Sequence, residues 1–194
     1  MHRTTSLATL CLLAAACGDQ SRGVASPDIS IPVVADRMGP VDGEDHFNPK
    51  LVGSEEVPPR DTPAYGRATF HVSDDGQSVE YTLVVNDITN VRQSHIHFGP
   101  AGTNSPIVVF LYGPVPAGGG PIDGEIARGS FTAANFIGPL AGHPMADLLA
   151  AMRTGHAYVN VHTDDGVAPA NTGPGDFPGG EIRGLLTDRH ADQR

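Results

Sequence analysis

The segment Ser94-His95-Ile96-His97-Phe98 sets two imidazoles one residue apart. On an extended strand, residues i and i+2 point to the same face. His95 and His97 can therefore reach one ion together while Ile96 faces the other way. A third imidazole, His162, lies in the segment AYVNVHT, residues 157–163, which has the same alternating pattern. Imidazole-only ligation suits copper(II) or zinc(II), and His162 on a neighbouring strand would complete a three-nitrogen set. The same residues also fit a second reading, in which His95 and His97 hydrogen-bond to strand ends or to Asn160 in a polar network that organises the sheet and its loops. Both readings stand at this point.

The alternation extends to other residues. In AYVNVHT, Tyr158, Asn160 and His162 share a face, and Val159 and Val161 share the opposite one. In GEIRG, Glu181 and Arg183 flank Ile182. If the three segments pair in one sheet, Ile96, Val159, Val161 and Ile182 form a core stripe. The other face then collects His95, His97, Asn160, His162, Glu181 and Arg183, with Glu181 and Arg183 available to each other as a cross-strand ion pair.

Other chemistries find little support. There is no Gly-x-Ser-x-Gly nucleophile motif and no phosphate loop. The glycines after His97 follow a strand but open no helix, so they make no dinucleotide cradle. The turns Asp74-Asp75-Gly76 and Asp164-Asp165-Gly166 lack the ligand spacing of a calcium loop and read as ordinary turns. Binding is thus expected in preference to catalysis, with a copper- or zinc-binding, redox protein using His95, His97 and His162 and a structural envelope or matrix protein as the alternatives. The formal charge is −10 and Lys50 is the only lysine, which leaves no basic patch for phosphates and excludes nucleic acid as a partner.

Address and redox context come from the first twenty residues, MHRTTSLATLCLLAAACGDQ. A basic start at Arg3 precedes an apolar run too short to span a bilayer, as in a signal peptide. Ala14-Ala15-Ala16-Cys17 resembles a bacterial lipobox, which makes 1–16 the leader and Cys17 the lipidated residue. The expected address is the cell envelope, extracytoplasmic and held to the membrane through that lipid, at the outer membrane or surface of a cell with two membranes. The other cysteine, Cys11, falls in the leader, so the processed chain has neither thiol nor disulfide. Any metal must be held by histidine, carboxylate or amide groups.

The elements that position these residues are short. With 24 Gly and 17 Pro in 194 residues, the composition favours strands joined by turns over helices. Residues 17–46 lack periodicity and read as a tether, 47–188 as the domain and 189–194 as a polar tail. Within GRATFHVSDDGQSVEYTLVV, Ala68, Phe70 and Val72 alternate with polar residues, Asp74-Asp75-Gly76 turns, and Val79, Tyr81, Leu83 and Val85 resume the alternation. This is a hairpin. HPMADLLAAMRTG reads as the one helix, with Pro144 at its start, Leu148, Leu149 and Met152 on its apolar face and Gly155 after its end. The expectation is an all-β fold, a Greek-key-like two-sheet sandwich of about eight strands with one short crossover helix.

The series LVGSEEVPP, HIHFGPAGTNSPIVVFL, AYVNVHT and PGGEIRGLL, in this order, strongly resembles the CHRD domain over residues 47–188. That family is named for its repeats in chordin and also occurs singly in bacterial secreted proteins. Ser94 stands where the family usually has Ala, and Ser105-Pro106 replaces the usual Gly-Pro. The resemblance implies a secreted β-sandwich binding module. Its ligand, whether protein, glycan or small molecule, stays open, and the growth-factor role of the animal proteins does not carry over to a lipoprotein of this kind.

Overall fold

The computed structural model describes residues 46–187. The leader, Cys17, the tether up to residue 45 and the polar tail lie outside the described residues, whereas His46, the last residue assigned to the tether, is part of β1. The elements are β1 (His46–Phe47), β2 (Lys50–Val52), β3 (Tyr65–Val72), β4 (Ser78–Thr89), β5 (Val91–Phe98), β6 (Ile107–Tyr112), β7 (Pro121–Thr132), α1 (Met145–Arg153), β8 (Thr154–Thr163) and β9 (Ile182–Thr187).

The all-β class and the one short α-helix among the described residues are as the sequence indicates. The nine strands of the described residues form one antiparallel sheet in the order β6-β5-β8-β9-β2-β3-β4-β7, with β1 pairing β3. The path curls until β6 lies alongside β7, giving a nearly closed, barrel-like sheet around a single core. Across the seam, Tyr81 on β4 donates its hydroxyl proton to the Leu111 carbonyl on β6 at 2.8 Å.

The β3–β4 hairpin has the expected phase. Ala68, Phe70 and Val72 are buried, His71 is exposed, and Val79, Leu83 and Val85 face the core, with Tyr81 half-buried among them. Gly76 closes the turn at φ 65°, a left-handed conformation that costs glycine nothing. Asn48-Pro49 separates β1 from β2.

The helix buries Met145, Leu148, Leu149, Ala151 and Met152. It packs against β8 and β9. Pro144 is its N-cap, and Gly155 follows its end with φ 70°. The chain leaves the helix directly into β8, which sets that strand between β5 and β9.

Candidate metal centre

The centre of the sheet carries the chemistry. His95 lies opposite Asn160 and His97 opposite Tyr158 in the β5–β8 ladder, and Asn160 lies opposite Arg183 in the β8–β9 ladder. Ile96, Val159, Val161 and Ile182 are fully buried in the core, so the phase read from the sequence holds. The opposite face is buried as well. His95, His97, Asn160, His162, Glu181 and Arg183 are all buried, and Ser94, Thr163, Asp176 and Glu56 are further buried polar residues.

The three imidazoles converge. One ring nitrogen from each of His95, His97 and His162 lies within 4.8 Å of the other two. His95 Nδ1 is 3.3 Å from His162 Nε2, and both His97 Nε2 and His162 Nε2 are 2.9 Å from Asn160 Oδ1.

The outer nitrogens settle the tautomers. His97 Nδ1 is 2.7 Å from the Ser105 carbonyl, and His162 Nδ1 is 2.8 Å from the Pro178 carbonyl. A carbonyl only accepts, so each Nδ1 carries the proton and each Nε2 a lone pair. Two lone pairs therefore face the Asn160 amide oxygen, a third acceptor. Turning the amide over would offer N–H groups to the imidazoles, but it would carry Oδ1 toward Gly180. A side chain at Gly180, where φ is 122°, would collide there with both Glu56 Oε1 and Asn160 Nδ2. Glu56 Oε1 and, on the imidazole side, His95 Nε2 are buried polar atoms without a hydrogen-bond partner among the described residues.

Burial drives the imidazoles toward their neutral, ligand-competent forms. It pushes His95 down to about 3, helped by the nearby charges of His162 and His97, and His162 down to about 4 against the pull of the Pro178 carbonyl. It also lowers His97, against its bonds to Ser105 and Asn160.

Arg183 has a partner that the sequence reading missed. It does not pair with Glu181. Its Nε and Nη2 reach Glu56 Oε2 at 3.0 and 2.8 Å, and its guanidinium stacks 4.1 Å from the centre of the Tyr158 ring. His97 also stacks on that ring, at 4.7 Å. Two further donations, Nη1 to the Thr103 carbonyl and Nη2 to Asn104 Oδ1, hold the loop that presents the Ser105 carbonyl to His97. Arg183 is thus a positioning residue. Glu181 instead accepts from the Thr62 and Thr163 hydroxyls and from the Gly175 amide, tying the β8–β9 loop beside His162. Ser94, one of the two departures from the family pattern, is buried and donates to the Asn160 carbonyl at 2.7 Å. No sequence signal pointed to Glu56, which is 127 residues from Arg183.

The fold and this face define a small antiparallel β module with a polar cluster sealed inside it. The family model for the CHRD domain matches residues 47–186, and the chain belongs to that family. Comparison with curated proteins and with solved structures returned no match.

Proposed function

We propose that this chain is a lipid-anchored, extracytoplasmic binding module of the CHRD family whose His95–His97–His162 cluster takes one transition-metal ion, copper(II) or zinc(II). The observation that carries the reading is the convergence of lone pairs. Two imidazoles whose Nδ1–H groups are held by backbone carbonyls aim their Nε2 atoms at one point beside a third imidazole and an amide oxygen. That Nδ1–H to carbonyl arrangement is the usual way a protein orients a ligating histidine. Three neutral imidazoles, with Asn160 Oδ1 as the oxygen donor, match the ligand preferences of both ions.

The test is a melting series on the full chain stripped of metal with a chelator. At a hundredfold excess of free ion over Kd, binding stabilises the folded state by about 2.7 kcal/mol, a rise of about 5–10 °C for a domain of this size. Calorimetry should give one ion per chain. His97→Ala and His162→Ala should each weaken affinity by at least about 100-fold. Unchanged melting of the parent protein in copper and in zinc would leave the cluster as a purely structural network.

The anchor is proposed on the leader pattern that ends at Cys17. The processed chain should partition into detergent, and Cys17→Ser should release it to the aqueous phase or leave the leader uncut. A fully water-soluble parent chain with a free N-terminus at residue 17 would sink this part of the proposal.

A further inference from the structure

We infer that the loop joining β8 to β9 holds a second cation, of the calcium class, on Asp164, Asp165 and Asp176. The three carboxylates each bring an oxygen within 4.8 Å of the other two. Turn chemistry accounts for only part of this group. Asp164 Oδ1 accepts from the Gly166 amide and Asp165 Oδ1 from the Val167 amide, each at 2.8 Å. Asp176 Oδ2 accepts from both the amide and the hydroxyl of Thr172 at 2.9 Å.

Asp176 points further. The residue is only 3 % exposed, and its Oδ1 is buried with no hydrogen-bond partner among the described residues. A buried carboxylate oxygen left without a donor is a standing cost to the fold. Among the described residues the cation paired with this group is Arg92, whose Nε is 3.7 Å from Asp164 Oδ2 and whose side chain is 37 % exposed. One partly solvated guanidinium does not balance three converging carboxylates, two of them beyond its recorded contact.

The donors are all hard oxygens, which turn away the ions that suit imidazole. Calcium accepts irregular oxygen shells completed by carbonyls and water, whereas magnesium demands a near-ideal octahedron. A loop with two acids at its start and one 11–12 residues further on fits the more permissive ion. In extracellular modules such sites have dissociation constants on the order of 0.1–1 mM.

Occupancy would be felt at the histidines. The same loop supplies the Pro178 carbonyl to His162, and the Phe177 amide donates to Thr163 at the end of β8. Clamping Asp176 to Asp164 and Asp165 fastens both ends of this loop, although the inference does not depend on a metal at the imidazoles.

The test uses the full chain freed of calcium with EGTA, melted in rising CaCl2 at constant ionic strength, with MgCl2 as the comparison. The expected result is a saturable rise in melting temperature with a midpoint near 1 mM or below, at least about tenfold weaker for magnesium. Asp176→Asn should abolish it. Asp165→Asn, in a half-buried turn position, should weaken it about tenfold or more and covers the case in which the Asp176 variant fails to fold. His97→Ala should retain the response. A non-saturating rise equal for the two ions would mean screening of the acidic surface and would overturn the inference. A saturable calcium response left intact in Asp165→Asn would overturn it as well.

Discussion

Acidifying the metal-free chain from pH 7 to pH 4 should remove at least about 3 kcal/mol of its stability, through the buried histidines. Their folded pKa values lie below the unfolded value of 6.5, at about 3 for His95 and about 4 for His162, with His97 lowered too. Between the unfolded and folded values, the unfolded chain takes up protons that the folded chain refuses. Stability is therefore full above pH 6.5, declines as pH falls through the window, and levels off near pH 4 for His162 and near pH 3 for His95. Each unit of displacement is worth about 1.4 kcal/mol, so His162 alone supplies about 3 kcal/mol. His95 adds to this, but the imidazoles repel one another once charged, so the steps belong to the cluster and do not sum residue by residue. Glu56 works in the opposite sense. Burial raises its folded pKa despite Arg183, so its protonation favours the folded state as pH falls. Urea midpoints at pH 7, 5.5 and 4.5 provide the measurement. Equal midpoints would mean that the imidazoles are not sealed from water.

Arg183→Met should destabilise the chain by about 3–5 kcal/mol, the range for breaking a buried ion pair from one side. Arg183 is 4 % exposed and Glu56 2 %, and the variant leaves the carboxylate buried without the guanidinium that it hydrogen-bonds, with Arg60 as its remaining charged neighbour. It also releases the Thr103 carbonyl and Asn104, which hold the loop over His97. The double variant Glu56→Met/Arg183→Met should recover much of the loss, because the desolvation of both charges is removed together. If the single variant unfolds within 1 kcal/mol of the parent, the pair is a bystander.

The sequence revealed those parts of the centre that depend on local geometry. Period-two alternation put His95, His97 and His162 on one side and Ile96, Val159, Val161 and Ile182 on the other, and that phase holds. The hairpin from Ala68 to Val85 was readable for the same reason, with a turn signal between two alternating runs. Long-range facts were not readable. Glu56 lies in a proline-rich turn whose route to Arg183 depends on β2 pairing β9. Asp176 sits in a loop without periodicity, so its approach to Asp164 and Asp165 had no local signature. The depth of the polar face was hidden too, because alternation tells which side a residue takes and not whether loops cover that side. Strand number was close, and joining the strands into one curled sheet required the single Val52–Arg183 pairing at its middle.

That pairing also sets the order in which the molecule can be assembled. Val52 and Arg183 stand near opposite ends of the domain, yet their strands are neighbours. A nascent chain can close the β3–β4 hairpin as soon as residue 89 is available. It cannot join the two arms of the sheet until the last strand arrives. Contacts so distant along the chain slow folding, because a long loop must be closed before any pairing rewards it. Until then the β2 edge stands open to any other strand. For a chain exported as proposed above, this delay would keep the half-made polypeptide threadable. The hazard is the interval before closure, when open edges from different chains can meet.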